Sequence, residues 1–487
     1  MRRWTRRYLS QRDKFHQLLM RLPCGKAPSI LTPDEHSIRI HDMAQQTALS
    51  FWFPLRGLAQ AGLCLALNLC LVATSPGANA LENYVRRADT NHTWKQIDQR
   101  HTEGVTITHL EMVSQNWREL LWLHHVQIVK PDRVRNPHLA FLFVTGDGEG
   151  RSSLELLKLI ADRAGAMAAV VTRVPNQPLY DGRKEDALIA YTFDQYIQSG
   201  DDTWPLLFPM VKSAVRAMDT VQAFAEKENK QKVESFVLSG ASKRGWTTWL
   251  TGAVDPRVKG IAPMVIDMLN MKTQALWADK VYGKQSEKVQ DYSDYNLFEK
   301  LDSPPLVKLR GWVDPYAYRQ RYNMPKLILL GTNDPYWTVD SLRHYWNDLP
   351  GPKLIFQTPN AGHDLGGGKE ARQTLAAFVQ MIADRQELPK MEWSFKDGAK
   401  AEVALTVNAA AKSARLWVAE SMDRDFRNDH FYATDLEIKT GSSKAVGEVK
   451  SPGNGYRAYL GEVVLTSPDG HEYKLSTEAR VTPDSIK

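Results

Sequence analysis

Between residues 139 and 385, short apolar runs alternate with longer segments of helical period. The runs cover residues 139–144, 167–172, 233–238, 258–266, 326–330 and 353–357, and the helical segments cover 153–164, 204–228, 245–252 and 370–385. A run such as Leu139-Ala140-Phe141-Leu142-Phe143-Val144 has no polar face, so as a strand it must be covered on both sides. Strands of that kind separated by helices predict an α/β fold, a mostly parallel sheet with helices on both faces. Residues 105–113 and 121–129 alternate by two instead, which predicts an antiparallel pair leading into that sheet.

After Leu388-Pro389-Lys390 the helical period stops. Short alternating runs at 392–395, 401–407, 414–419 and 457–466 predict a small β-sandwich of the immunoglobulin or fibronectin kind over 390–487. The α/β domain is expected over 81–388. Within it, residues 268–323 are too long for a plain connection and read as a lid-like insertion.

The 487 residues carry a formal net charge of +6, which raises the question of a polyanionic partner. Residues 1–80 hold ten Lys and Arg against four Asp and Glu, leaving 52 of each sign in the remainder. The body is therefore neutral, and nucleic-acid binding is not expected. All three cysteines (Cys24, Cys64 and Cys70) also precede residue 81.

The apolar stretch behind Arg56 is interrupted by Asn68 and closed by Ser75-Pro76-Gly77-Ala78-Asn79-Ala80. It reads as a secretory signal over 43–80, with cleavage expected after Ala80 and a secreted or periplasmic product. Residues 1–42 are then an over-extended leader ahead of Met43. A retained anchor is the competing reading, but the run is short of the ~20 apolar residues that a span needs. Lipid attachment at Cys70 is disfavoured by the bulky Leu69 before it.

The candidate chemistry centres on Gly240-Ala241-Ser242-Lys243-Arg244-Gly245, between an apolar run and a helix-compatible segment. In α/β hydrolases a nucleophilic serine sits on such a strand-to-helix turn, in the pattern G-x-S-x-G. Here Arg244 occupies the second glycine position and Gly245 follows one later. Asp334 and His363 each follow a later apolar run, giving the chain order serine, acid, histidine. Ser242 is the expected nucleophile, His363 its base and Asp334 the orienting acid, with Asp267 as the alternative acid. The oxyanion hole is expected from the N–H of Lys243 and the loop at Gly146 and Asp147.

Arg244 is expected beside the pocket, pairing with an acidic substrate group or bracing the insertion. Trp277 and Trp312 are expected in a partly aromatic wall with Tyr282, Tyr292 and Tyr295. Other signals carry less. Residues 146–150 lack the P-loop lysine and the G-x-G-x-x-G spacing. His124 and His125 point to opposite faces of one strand and cannot share a metal. Glu185-Asp186 reads as a solvated helix face. No cofactor or metal is expected.

Longer phrases carry a family resemblance: Ser114-Gln115-Asn116-Trp117-Arg118, Glu185-Asp186-Ala187-Leu188-Ile189-Ala190-Tyr191-Thr192, Trp204-Pro205-Leu206-Leu207-Phe208-Pro209, Gly240-Ala241-Ser242-Lys243-Arg244-Gly245-Trp246 and Asp314-Pro315-Tyr316-Ala317-Tyr318. With these the chain resembles the PhoPQ-activated pathogenicity-related proteins. The resemblance implies an exported α/β-hydrolase fold linked, by the family's name, to a virulence and envelope-stress regulon. It implies no substrate. The displaced glycine is similar to the G-C-S-R-x-G turn of glucuronoyl esterases.

These readings together predict an exported serine hydrolase acting on a small-molecule or peptide acyl substrate, with ester against amide and the oligomeric state left open. The alternative is a non-catalytic exported binding or signalling protein on the same scaffold.

Overall fold

The structure is a computed structural model that describes residues 79–398, 400–438 and 444–486. The leader over 1–42 and the signal segment up to residue 78 lie outside the described residues.

Nine strands form the main sheet: β1 (Thr93–Thr102), β2 (Val105–Trp117), β3 (Leu120–Pro131), β4 (Leu139–Val144), β5 (Met167–Val171), β6 (Ser235–Ala241), β7 (Val258–Met264), β8 (Lys326–Gly331) and β9 (Lys353–Thr358). Their spatial order is β1-β2-β3-β5-β4-β6-β7-β8-β9. β1, β2 and β3 pair antiparallel and β3 meets β5 antiparallel, while every pair from β5 to β9 is parallel. β1 was not anticipated, because its Thr-Trp-Lys-Gln-Ile-Asp-Gln-Arg-His-Thr has no buried face. Its exposed charges suit an edge strand, where they discourage pairing with another chain.

The helices are α1 (Ala80–Arg86), α2 (Leu154–Ala164), α3 (Glu185–Ser199), α4 (Leu207–Asn229), α5 (Lys243–Val254), α6 (Met271–Tyr282), α7 (Gln290–Ser293), α8 (Pro304–Val313) and α9 (Lys369–Ala383). Alternate residues of the central strands enter different cores. Ala140, Leu142, Phe236 and Leu238 pack with α4 and α5, whereas Phe141, Val237 and Leu327 pack with α2 and α9. This two-sided burial explains the unbroken apolar runs. The architecture is that of an α/β hydrolase.

Residues 268–323 contain α6, α7, α8 and a 3-10 turn over Pro315–Arg321. Asp314, at the end of α8, closes this insertion: its carboxylate accepts from Met271 N–H at 2.8 Å, Asn270 N–H at 3.2 Å and Tyr316 N–H at 2.9 Å. At the other end of the described chain, Asn79 caps α1 in a reciprocal box with Glu82 and donates to Tyr318 Oη at 2.6 Å. The Ala80–Leu81 bond lies in the first turn of that helix.

The C-terminal strands are β10 (Met391–Lys396), β11 (Lys400–Val407), β12 (Ala411–Ser421), β13 (Tyr432–Leu436), β14 (Lys444–Lys450), β15 (Tyr456–Thr466), β16 (Glu472–Ser476) and β17 (Arg480–Thr482). They form two antiparallel sheets, β10-β11-β14 and β13-β12-β15-β16, with β17 beside β15. Ala401, Val403 and Val449 from one meet Leu416 and Tyr459 from the other, which makes a small β-sandwich. Arg163 of α2 fastens it to the body, donating to Asp469 Oδ2 at 2.8 Å and Ser467 Oγ at 2.7 Å. Among the described residues no helix is long and apolar enough to cross a membrane.

Candidate active site

Ser242 stands alone between the end of β6 and the start of α5, with φ 58° and ψ −126°. A non-glycine residue at such angles is strained by about 1–3 kcal/mol and persists only where its surroundings impose it. Two glycines make room for the turn. A Cβ on Gly240 would lie 2.6 Å from Arg244 O and 2.9 Å from Val144 O. On Gly245 it would lie 2.7 Å from Ile266 Cγ2 and 2.9 Å from Met264 O. The helix therefore closes tightly on the end of β7 at Gly245, which explains why the second glycine comes one residue late.

His363 and Asp334 come together at the same edge of the sheet, beyond the ends of β9 and β8. His363 Nδ1 lies 2.8 Å from Asp334 Oδ2, and Tyr336 N–H donates to Asp334 Oδ1 at 3.0 Å. The Tyr336 ring covers the imidazole at 4.4 Å between centroids. His363 Nε2 is buried and has no hydrogen-bond partner among the described residues. Ser242 and His363 share no hydrogen bond in this structure.

Asp267 does not take the acid's place. It is fully buried, and Tyr345 Oη–H donates to its Oδ1 at 2.6 Å. Burial, with the nearby Asp334, Asp340 and Glu478 carboxylates, pushes it up to about 8 against the effect of that hydrogen bond. Burial there favours its protonated form.

Lys243 opens α5, so its N–H has no acceptor within the helix. The 145–150 loop sits alongside, because Val144 of β4 pairs with Gly240 of β6. Its path is fixed by Arg173 N–H donating to Gly146 O at 2.6 Å and Thr172 Oγ–H donating to Gly148 O at 2.9 Å. The Asp147 side chain faces Gln177 Nε2 and Lys184 Nζ, each at 3.3 Å.

Three pocket assignments need correction. Arg244 donates to both Glu185 carboxylate oxygens at 2.5 and 2.7 Å and to Val174 O at 2.5 Å, with its guanidinium laid over Gly146. It braces α3 and the 145–150 loop rather than the insertion, and no charge is left over for a substrate acid. Trp277 lies between Arg343 and Arg424 and donates to Asp340 Oδ1 at 3.1 Å. Trp312 packs on Tyr196 and Phe208. Neither tryptophan lines the cavity beside Ser242, whereas Tyr292 does.

Glu185 and Asp186, read as a solvated face, instead hold the residues that follow Ser242. Lys243 Nζ lies 2.6 Å from Asp186 Oδ2, and Tyr292 Oη–H donates to Asp186 Oδ1 at 3.0 Å. Burial pulls Lys243 down, but the Asp186 carboxylate outweighs it and holds the ammonium above the usual lysine range. Consecutive acids facing consecutive bases were the only sequence signal of this pairing. His124 is a core residue, bonded to Ser114 Oγ at 2.8 Å and Thr172 O at 2.9 Å, and burial lowers it to about 4.

The model of the PhoPQ-activated pathogenicity-related protein family matches residues 81–427. The chain belongs to this family. It is 30% identical over 468 residues to the autocrine proliferation repressor protein A of Dictyostelium discoideum, covering 87% of this chain and 94% of that one. Among solved structures it is similar to acetyl xylan esterase 1 from Thermoanaerobacterium sp. JW/SL YS485, at 16% identity and TM-score 0.45 over 61% of this chain and 92% of that one. A glucuronoyl esterase from Solibacter usitatus aligns at 12% identity and TM-score 0.36 over 55% and 77%.

Proposed function

We propose that this PhoPQ-related protein is an exported serine hydrolase that cleaves an ester or amide through an acyl-enzyme on Ser242. The observation that carries the reading is the pairing of a strained serine turn with a buried His363 Nε2 that lacks a partner, its Nδ1 held by Asp334. Ser242 Oγ attacks the substrate carbonyl as His363 Nε2 takes its proton. Asp334 fixes the tautomer with the proton on Nδ1 and stabilises the imidazolium. The N–H groups of Lys243 and the Gly146–Asp147 loop receive the oxyanion. His363 then protonates the leaving group, and water repeats the sequence to release the acid.

A fluorophosphonate probe tests the reading. It labels the wild-type protein and leaves Ser242→Ala unlabelled. Equal labelling of both, or none of the wild type, sinks it.

The secretory segment over 43–80 supplies export. A cut after Ala80 would remove the Asn79 cap of α1, so N-terminal sequencing of exported protein shows whether processing stops there or upstream. The Dictyostelium relative, named an autocrine proliferation repressor, favours a second reading, a repressor of proliferation that uses the scaffold for binding. Retention of such an effect by Ser242→Ala would separate it from hydrolysis.

A further inference from the structure

A cavity of about 130 Å³ runs from Ser242 under the insertion. Its wall is apolar, drawn from Phe193, Trp246, Ile266, Leu297, Phe298 and Leu309 among others. The polar side chains that reach it are largely committed to the protein. Lys243 and Asp186 neutralise each other at 2.6 Å, and Trp246 Nε1–H donates to Val313 O at 2.5 Å. Gln274 Nε2 donates to Leu269 O at 3.2 Å and Ser341 O at 3.0 Å. Arg310 Nη2 donates to Leu301 O at 2.8 Å, which leaves its Nε and the Trp337 Nε1 without partners among the described residues. A sugar ring placed there would lose water and find little beyond those two donors in return.

We propose that this cavity is the acyl subsite of the serine site and takes an apolar group of about benzene size, or a straight chain of about four to six carbons. The proposal rests on Ser242 being the nucleophile. Each methylene moved from water into the cavity is worth about fourfold in rate, the equivalent of about 0.8 kcal/mol, until the space is filled.

The test uses alkyl fluorophosphonates of increasing chain length and the matching series of nitrophenyl esters. The rate of Ser242 labelling rises about fourfold per methylene to about six carbons and then levels. Ala275→Leu, which narrows the cavity, moves the optimum to shorter chains, and Phe298→Ala moves it to longer ones. Fastest labelling by the shortest probe, or an optimum that neither variant moves, overturns the subsite while leaving the hydrolase reading intact. Absence of labelling by every probe overturns both.

A separate observation concerns the C-terminal strands. The segment before β13 reaches back to the two loops that carry Asp334 and His363. Asn333 Nδ2 donates to Phe426 O at 2.8 Å and Asp429 O at 2.7 Å. Asn360 forms a closed pair with Phe431: its Nδ2 donates to Phe431 O at 2.9 Å, and Phe431 N–H donates to its Oδ1 at 2.7 Å. The loops are also laced to each other by Asn333 N–H donating to Ala361 O and Asn360 N–H to Thr332 Oγ, both at 2.9 Å. Phe426 and Phe431 are buried, so the segment has a firm base.

We infer that Asn333 and Asn360 are positioning residues through which the β-sandwich sets the geometry of the acid and base. This also rests on the hydrolase reading. With nitrophenyl esters, Asn333→Ala and Asn360→Ala lower kcat at least tenfold with KM unchanged. Asn360→Asp, which keeps the acceptor for Phe431 N–H, falls between Asn360→Ala and wild type. Variants that melt earlier yet retain wild-type kcat overturn the inference. A wild type that hydrolyses nothing overturns the hydrolase reading on which it stands.

Discussion

Arg244 and Glu185 form a two-pronged ion pair, 2.5 and 2.7 Å, directly beside the Ser242 turn. Arg244 belongs to the first turn of the helix that follows Ser242, and Glu185 begins the helix that follows the 172–184 connection. The arginine in a glycine's usual place is thus a clamp between the Ser242 turn and the 145–150 loop. Glu185 is held below its usual range: burial raises it, but the Arg244 hydrogen bond and charge prevail.

Arg244→Ala leaves Glu185 without its main partner. The loss of a buried partner costs about 3–5 kcal/mol, and the 38% exposure of the Glu185 side chain reduces that to about 1–3 kcal/mol. The variant melts earlier and labels with fluorophosphonate at least tenfold more slowly. Arg244→Lys keeps the charge but not the fork, and falls between wild type and alanine in both measurements. Labelling of Arg244→Ala at the wild-type rate would detach the clamp from the chemistry.

The strain at Ser242 makes an opposite prediction. Ser242→Gly releases a positive-φ cost of about 1–3 kcal/mol and incurs about 0.5–1 kcal/mol through the freer unfolded chain. The net gain of about 1 kcal/mol appears as a melting point about 2 °C higher, with labelling abolished. Ser242→Ala keeps the strain and gains little. Equal melting of the two variants would remove strain from the account.

The sheet was legible because each central strand is apolar on both faces, and the placement of Ser242, Asp334 and His363 beyond strand ends was legible for the same reason. β1 was hidden by its polar sequence, since an edge strand carries no burial signal. The Arg244–Glu185 and Lys243–Asp186 pairs were hidden for a different reason. Both join residues about 60 positions apart, and charge pairing has no periodicity that marks it locally. Trp277 and Trp312 show the converse error: aromatic content in the insertion placed them in the pocket wall, but only packing decides which rings face a cavity.

The displaced glycine carries its own prediction. Gly245→Ala places a Cβ 2.7 Å from Ile266 Cγ2 and 2.9 Å from Met264 O, and the strand carbonyl has little room to retreat. Overpacking of this kind costs about 1–3 kcal/mol. Moving the glycine by the double change Arg244→Gly and Gly245→Ala restores G-x-S-x-G in sequence but keeps the clash and removes the clamp. It melts below either single variant and labels no faster than Arg244→Ala. Recovery of labelling in the double variant would show that the sequence pattern, rather than the approach to β7, governs the turn.

Asp267 gives the pH prediction. Its folded value of about 8 lies far above the ~4 of an unfolded aspartate, so between those limits the folded state holds a proton that the unfolded chain has released. Stability from this group is fully present below about pH 4 and is lost as pH rises through about 8, at up to about 1.4 kcal/mol per pH unit. Asp267→Asn keeps an acceptor for Tyr345 Oη–H and has no proton to lose. Melting curves from pH 5 to 9 therefore fall less steeply for Asp267→Asn than for wild type, with the variant's relative gain largest at the alkaline end. Parallel curves would mean that Asp267 is ionised in the folded protein throughout.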